Sequence, residues 1–222
     1  MALDHIDFVG NPNQRTPCIL VLDTSGSMDG DPIEELNEGI KAFHQALTDD
    51  THALTHVSIA IVTAGGSNAE LLMDWTDATG FSPIPLRADG PTPLGEALIL
   101  ALDLIEQVKT GYRGNGIQYT RPWLFFMTDG EPTDSPEVWA EAIRRCREAE
   151  MGKKAVIFPI AVQRGNVAKI AQTTSRAPVK LTGLNFKEFF VWLSGSLGQA
   201  SRTAPGTDIQ LPSLDSWGSV QS

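Results

Sequence analysis

The chain has 222 residues, of which 41% are hydrophobic, which is enough to bury one sizeable core and makes a single domain the default expectation. Its 27 acidic residues outnumber the 17 basic ones and give a formal net charge of −10, which argues against nucleic acid or an anionic membrane as a partner. The composition also excludes a disordered or collagen-like chain, and no apolar run is long enough to cross a bilayer.

The segment at residues 1–7 carries neither the basic nor the apolar stretch of a secretory signal, so we expect a cytoplasmic protein. The cysteines are consistent with that location, because Cys18 lies in an apolar strand-like run and Cys146 in a helix-like one. Both are expected to be buried as small hydrophobic side chains. A disulfide between them is the alternative, and disulfides are rare in the cytoplasm.

Apolar patterns near the start of the chain predict a strand, a helix and a hairpin. The continuous apolar run at residues 17–22 is typical of a strand that is covered on both faces. After a turn rich in Ser and Gly, Pro32 suits the first turn of a helix that continues to about residue 49. Strands are expected next at residues 57–63 and 69–75, and the short Gly-rich link between them predicts an antiparallel pair.

Helices and strands alternate through the rest of the chain. Residues 76–92 contain repeated Gly and Pro and are expected to form a loop, and residues 111–116 a polar connection. The remaining helices are expected at residues 93–109, 136–150, 168–172 and 186–197, and the remaining strands at residues 123–128, 155–162 and 179–181. This alternation predicts an α/β fold of the Rossmann-like, doubly wound kind, with a mostly parallel sheet and helices on both faces.

The chain is expected to consist of an amino-terminal extension at residues 1–14, one domain at residues 15–197 and a polar tail at residues 198–222. The tail is rich in Ser, Thr, Pro and Gly and is expected to be extended. Three apolar residues in it are expected to dock onto the chain's own domain, with binding to a partner protein as the alternative. They are Leu211, Leu214 and Trp217.

Side chains with oxygen donor atoms gather at one predicted edge of the sheet. Asp23, Ser25 and Ser27 follow the first strand, Asp129 follows the fourth strand, and Thr92 lies in the loop that opens a helix. In an open parallel sheet, ligands bind beyond the carboxyl ends of the strands, where the strand order reverses. If the first and fourth strands are neighbours at that point, all five side chains can converge.

The chemistry of these donors predicts a hard divalent cation. Two carboxylates and three hydroxyls suit Mg²⁺, Mn²⁺ or Ca²⁺ and form a poor set for zinc, which prefers imidazole and thiolate. Two carboxylates only balance the charge of a dication, so the cation stays electrophilic and keeps a position for water or an anionic oxygen. A carboxylate of another protein is the natural occupant, and we therefore expect a binding site.

This set of residues resembles the metal-ion-dependent adhesion site (MIDAS) of von Willebrand factor A domains. Residues 23–27, Asp-Thr-Ser-Gly-Ser, match its DxSxS signature, and Thr92 and Asp129 match its second and third elements. The resemblance implies a six-stranded sheet in the order 3-2-1-4-5-6 with the third strand antiparallel. It also implies that Ser25, Ser27 and Thr92 contact the metal directly, while Asp23 and Asp129 act partly through water.

A narrower resemblance is to a bacterial branch of this family called TerY-like, which is associated with tellurium-resistance and stress-response gene clusters. It rests on Arg-Pro-Trp at residues 121–123, on Thr-Asp-Gly-Glu-Pro-Thr-Asp at residues 128–134, and on the tail near Trp217. Members of that branch are thought to act beside a protein kinase and a metal-dependent phosphatase. The resemblance therefore implies an adaptor in a signalling system.

A purely structural interpretation is available for each part of the pattern. Asp, Ser and Gly at residues 23–27 favour a strand-to-helix turn, Thr92 could cap its helix, and Asp129 with Gly130 could form an ordinary turn. These interpretations do not explain why all three segments fall at one edge of the sheet.

The alternative function is a metal-dependent phosphatase of the haloacid-dehalogenase type, with Asp23 as the nucleophile. Such an enzyme needs a second aspartate two residues further on, where this chain has Ser25. Lys153 or Lys154 could supply the required lysine. The remaining acidic pair has a loose match in Glu131 and Asp134. We therefore expect a binding protein and no enzyme.

Overall fold

A mostly parallel sheet runs through the computed structural model, which describes residues 10–163, 165–181 and 183–205 and the backbone of Gly218–Val220. Its strands are β1 (Thr16–Asp23), β2 (Val57–Gly65), β3 (Asn68–Asp77), β4 (Trp123–Thr128), β5 (Val156–Ala161), β6 (Val179–Leu181) and β7 (Gly218–Val220). The helices are α1 (Asp31–Asp49), α2 (Thr51–His56), α3 (Leu94–Gly114), α4 (Pro136–Met151), α5 (Val167–Ile170) and α6 (Phe186–Ser201).

The strand order within the described residues is β3-β2-β1-β4-β5-β6-β7, with β3 and β7 antiparallel to their neighbours and the other pairs parallel. The six-stranded order 3-2-1-4-5-6 and the α/β fold class are therefore confirmed. The strand β7 adds a tail segment to the sheet beside β6. Leu211, Leu214 and Trp217, which were expected to dock, lie outside the described residues.

Alternation along the central strand β1 explains the two layers of helices. Leu20 and Leu22 point into one buried cluster with side chains of α1 and α6, while Ile19 and Val21 point into a second cluster with α3 and α4. All four are fully buried. Burying each such side chain contributes roughly 1.5–3 kcal/mol to the stability of the fold. A layer of helices therefore packs on each face of β1.

The chain crosses to opposite faces of the sheet on the two sides of β1. From β1 it passes through α1 to β2, and from β3 it passes through α3 to β4, which lies on the other side of β1. The strand order therefore reverses between β1 and β4. The loops that follow these two strands meet at the crevice that this reversal creates.

Two helical segments differ from the sequence predictions. The polar connection expected at residues 111–116 is wrong in its first part, because α3 continues to Gly114 and buries Tyr112 completely in the core. The helix α2 was not predicted. It is begun by Asp50, whose carboxylate accepts hydrogen bonds from the amides of His52 at 3.0 Å and Ala53 at 3.1 Å.

The two cysteines are free and buried, which makes the disulfide alternative wrong. Cys18 belongs to the cluster on the α1 and α6 face, and Cys146 belongs to the cluster on the α3 and α4 face, so the sheet separates them. Burial raises the pKa of the Cys146 thiol to about 12. Within the part of the chain that the structure describes, no helix combines the length and apolar character needed to cross a membrane.

At the edge of the sheet opposite the crevice, a buried ion pair holds the first three strands together. The Arg15 guanidinium donates from Nε and Nη2 to the two oxygens of Asp77, each at 3.1 Å. The hydroxyl of Ser58 donates to the same carboxylate at 3.0 Å. Removing one partner of such a pair typically costs about 3–5 kcal/mol, because the other charge is then left buried alone.

We predict that Gly39→Ala destabilises the contact between α1 and α6. A Cβ on Gly39 would lie 2.8 Å from Phe190 Cδ2 and 2.9 Å from Phe186 Cβ, so the two helices would have to separate. Gly195→Ala is the matched control, since a Cβ there meets no atom within 4 Å. Alanine has the higher helix propensity at both positions, so this effect is the same in the two variants. In urea unfolding, Gly39→Ala should be less stable than Gly195→Ala by about 1–3 kcal/mol. Equal stabilities would contradict this packing.

Candidate metal centre

The carboxylate of Asp23 lies at the end of β1 and is held from two directions. Its Oδ1 accepts a hydrogen bond from the backbone amide of Ser25 at 2.9 Å. Its Oδ2 accepts one from the hydroxyl of Thr128, the last residue of β4, at 2.5 Å. Asp23 is only 1% exposed, so its orientation is set by these contacts and by its own strand.

The two serines of the β1 loop connect this carboxylate to the β4 loop. The hydroxyl oxygens of Ser25 and Ser27 lie 3.1 Å apart. The Ser27 hydroxyl donates to Asp129 Oδ1 at 2.6 Å. Ser25 and Asp129 are buried, whereas Ser27 is exposed, so the group opens to solvent on the Ser27 side.

Thr92 faces the same place from a third loop. A Cβ added to Gly130 would lie 3.6 Å from the hydroxyl oxygens of both Ser27 and Thr92. Thr92 is buried, at 5% exposure. The structure thus brings together all five side chains that were predicted to form the site, which the separate capping interpretations do not require.

Backbone hydrogen bonds hold the loop before Thr92 against the β1 loop. The amide of Gly26 donates to the carbonyl of Gly90 at 2.8 Å, and the amide of Asp89 donates to the carbonyl of Thr24 at 2.9 Å. Gly90 has a φ of +67°, and a Cβ on it would lie 2.8 Å from the Cα of Gly66. Glycine is therefore needed at this position for the loops to approach.

The two carboxylates carry negative charge without a basic partner in the described part of the chain. No ion pair among those residues includes Asp23 or Asp129. The pKa of Asp23 is raised, chiefly by burial. The hydrogen bonds from Ser25 and Thr128 oppose this rise, and the neighbouring Asp129 adds to it. Among the described residues, none supplies positive charge to these carboxylates, and a divalent cation would supply it.

The donor set fits a hard cation. In residues 10–163, 165–181 and 183–205, no group of three or more His, Cys, Asp or Glu side chains is arranged to hold a metal ion. A cation in this crevice would therefore be held by two carboxylates together with hydroxyl oxygens. Oxygen donors of this kind match the preferences of Mg²⁺, Mn²⁺ and Ca²⁺.

Sequence reasoning missed two supporting residues at the site. Thr128 was placed in the fourth strand but given no role, although a threonine at the end of an otherwise apolar run was an available signal. Asp134 was considered only as a phosphatase carboxylate, and its carboxylate instead accepts hydrogen bonds from the backbone amides of Gly95 and Glu96. No local pattern could have indicated that contact.

The two lysines considered for the phosphatase alternative lie far from Asp23. Lys153 and Lys154 precede β5, and Val156 in that strand pairs with Trp123 at the amino-terminal end of β4. They therefore lie at the edge of the sheet opposite Asp23, about 20 Å away for a strand of this length. Neither lysine can contact a group bound beside Asp23.

The family model of the von Willebrand factor type A domain matches residues 18–187. The chain belongs to this family. Domains of the family serve in general as metal-dependent adhesion or protein-interaction modules. No curated protein sequence matches the chain.

Solved structures with low sequence identity share the von Willebrand factor A fold. The pilus adhesin SpaC from Lactobacillus rhamnosus GG, in its open conformation, is 12% identical with a TM-score of 0.63, over 84% of this chain and 30% of the adhesin. The vWF domain of the type V pili tip protein Mfa5 from Porphyromonas gingivalis is 11% identical with a TM-score of 0.59, over 89% of this chain and 99% of that one.

A third structure of this fold is proximal thread matrix protein 1 from the mussel byssus, with a zinc-occupied MIDAS motif. It is 16% identical with a TM-score of 0.56, over 84% of this chain and 48% of the byssus protein. Our chain thus spans about half of that protein and less than a third of SpaC. At these identities the likeness concerns the fold.

We predict that Asp23→Asn raises the melting temperature in a chelator at neutral pH. Asparagine keeps the shape of the side chain and removes a charge that burial disfavours. Because the pKa of Asp23 is raised in the folded state, the protonated side chain favours folding at low pH. This contribution to stability is lost as pH rises through the folded pKa. A rise of about 2–4 °C, which corresponds to about 1 kcal/mol in a domain of this size, should appear in a thermal melt at neutral pH.

The pH dependence is the control for this variant. The difference in melting temperature between wild type and Asp23→Asn should shrink as acid protonates Asp23 in the wild type. A variant that is less stable than wild type at neutral pH in chelator would show instead that the carboxylate serves as a structural hydrogen-bond acceptor.

Proposed function

We propose that the chain is a divalent-cation-dependent protein-binding module, in which Asp23, Ser25, Ser27, Thr92 and Asp129 hold the cation. The observation that carries this proposal is the convergence of their oxygen atoms in the crevice between β1 and β4, with two carboxylates that have no basic partner among the described residues. Membership of the von Willebrand factor A family supports it.

Each residue would have a distinct part in holding the cation. Asp23 and Asp129 would balance the charge of a dication, and the hydroxyls of Ser25, Ser27 and Thr92 would add oxygen donors without adding charge. Thr128 holds the Asp23 carboxylate in place by its hydrogen bond. When bound, the cation would supply an electrophile that attracts an anionic oxygen from outside the chain.

The exposed side of the site favours an acidic side chain of a partner protein as that oxygen. Ser27 is exposed while Asp23, Ser25 and Thr92 are buried, so an incoming group would approach the cation past Ser27. Neutral hydroxyl donors leave the cation more attractive to a carboxylate than a third acidic ligand would. We therefore propose an Asp or Glu of a partner as the ligand that completes the site.

Mg²⁺ is the cation that we propose, with Mn²⁺ and Ca²⁺ as alternatives that use the same oxygen donors. The zinc-occupied MIDAS motif of the byssus protein supports the idea that a motif of this kind can hold a dication. Zinc should nevertheless bind more weakly here than these cations, because the five side chains offer neither imidazole nor thiolate.

The proposed setting is cytoplasmic signalling in a bacterium, in a tellurium-resistance or stress-response system with a protein kinase and a metal-dependent phosphatase. Its support is the TerY-like pattern at residues 121–123 and 128–134. The two free, buried cysteines are consistent with a reducing compartment. In this setting the chain acts as an adaptor.

We predict that Mg²⁺ or Mn²⁺ raises the melting temperature of the wild type and that Asp129→Ala abolishes the shift. A ligand at a hundred times its Kd stabilises a folded protein by about 2.7 kcal/mol, which a thermal melt resolves easily. Asp29→Ala is the control, since it removes an exposed carboxylate of the β1 loop that has no part in the proposed site, and it should keep the shift. Absence of any cation effect on the wild type would overturn the proposed site.

We predict that a partner is captured from native cells by the wild type only while the cation is present. Tagged protein is incubated with lysate in Mg²⁺ or in EDTA, and bound proteins are identified by mass spectrometry. Capture should be lost in EDTA and in Asp23→Ala. A set of bound proteins that is the same in both buffers would argue that the cation has no part in binding.

A further inference from the structure

We infer that Asp134 is a positioning residue that fixes Thr92 relative to Asp129, an inference that rests on the proposed cation site. Asp134 lies in the loop after β4, as Asp129 does, but it points towards the start of α3. Its Oδ2 accepts a hydrogen bond from the amide of Gly95 at 2.8 Å, and its Oδ1 accepts one from the amide of Glu96 at 2.9 Å. Both carboxylate oxygens are thus bound to the helix that follows Thr92.

Thr133 makes a second connection between the same two loops. The amide of Thr92 donates to the hydroxyl of Thr133 at 3.0 Å, and the amide of Thr133 donates to the carbonyl of Thr92 at 3.0 Å. Both backbone polar groups of Thr92 are therefore bonded to the loop that carries Asp129. Together with the two bonds of Asp134, they form a clamp, made of Thr133 and Asp134, on residues 92–96.

The start of α3 depends on this clamp because its own sequence supplies no cap. The residue before the helix is Pro93, which makes no side-chain hydrogen bond to the first turn. The first free amides of a helix need acceptors, and a carboxylate there also suits the positive end of the helix dipole. Asp134 meets both needs from a distant part of the chain.

Gly95 leaves the space that Asp134 occupies. A Cβ on Gly95 would lie 2.9 Å from Asp134 Cγ and 3.0 and 3.1 Å from its two oxygens. Any larger residue would displace the carboxylate. Gly95→Ala therefore displaces the Asp134 half of the clamp without removing a charge, and it places a better helix former in the first turn.

The clamp holds Thr92 where its hydroxyl faces Ser27 and the β4 loop, since a Cβ on Gly130 would lie 3.6 Å from the hydroxyl oxygens of both. If Asp134 is released, Gly95 and Glu96 lose their hydrogen bonds to the β4 loop and Thr92 is held there only by Thr133. Asp23, Ser25 and Ser27 keep their own contacts, so the cation keeps both carboxylates while the Thr92 hydroxyl is held less firmly in place. Cation affinity should fall through Thr92 alone.

A double-mutant cycle with Mn²⁺ as the probe tests this inference. Mn²⁺ affinity is measured by electron paramagnetic resonance on the full chain for wild type, Asp134→Ala and Gly95→Ala, each with and without Thr92→Ala. Both single changes should weaken Mn²⁺ binding by roughly tenfold, the effect typical of residues that orient a metal ligand. In the Thr92→Ala background they should weaken it no further. Gly195→Ala, where a Cβ meets nothing within 4 Å, should bind as the wild type does.

Other results would overturn the inference. Wild-type affinity in Gly95→Ala, whether or not Asp134→Ala binds more weakly, would show that the position of Asp134 does not matter. Losses that multiply with that of Thr92→Ala would show a general effect on the fold. If Asp134→Ala does not fold, Gly95→Ala carries the test. A wild type that binds no Mn²⁺ would overturn the proposed site and this inference together, whereas wild-type binding by Asp134→Ala and Gly95→Ala beside weaker binding by Thr92→Ala would overturn this inference alone.

Discussion

The hydrogen bond from the Thr128 hydroxyl to the Asp23 carboxylate joins the ends of the two central strands, and the rest of the site is built around it. It follows from the register of β1 and β4, in which Leu22 pairs with Met127, so that the next residues, Asp23 and Thr128, end their strands at the same level. Parallel pairing at a point where the strand order reverses leaves no helix above these ends. The carboxylate is therefore buried, and the group of side chains around it reaches solvent at the crevice through the exposed Ser27.

The site has an energetic cost that the fold must offset. Two carboxylates lie close together without a basic partner in the described residues, and one of them is almost completely buried. Burial of uncompensated charge opposes folding. The two helical layers around β1 and the buried pair of Arg15 and Asp77 supply stability away from the crevice. The unfavourable burial of charge thus lies in the region where a cation would offset it.

Local patterns were sufficient to predict the central strands and the five side chains at the crevice. The apolar runs at residues 17–22 and 123–128 indicated buried strands, and the polar residues after them could be placed at one edge by elementary rules for parallel sheets. The strand order came from the family resemblance. The strands and the side chains were predicted from residues adjacent in the sequence, and the strand order from the known fold of the family that the chain resembles.

The features that were not predicted depend on contacts between distant parts of the chain. The last turn of α3 forms because Tyr112 finds a place in the core, which its polar neighbours do not indicate. The contact of Asp134 with Gly95 spans 39 positions. β7 pairs with β6 although the two strands lie far apart in the sequence.

The two outer strands of the sheet have a consequence for how the protein meets other chains. β3 has irregular register against β2 near Ile61, and Glu70 and Asp74 place charge along it. At the other side, β7 covers β6 and is only three residues long. The irregular register and charges of β3 and the short length of β7 are features that disfavour fibre-like pairing with another chain at these two borders.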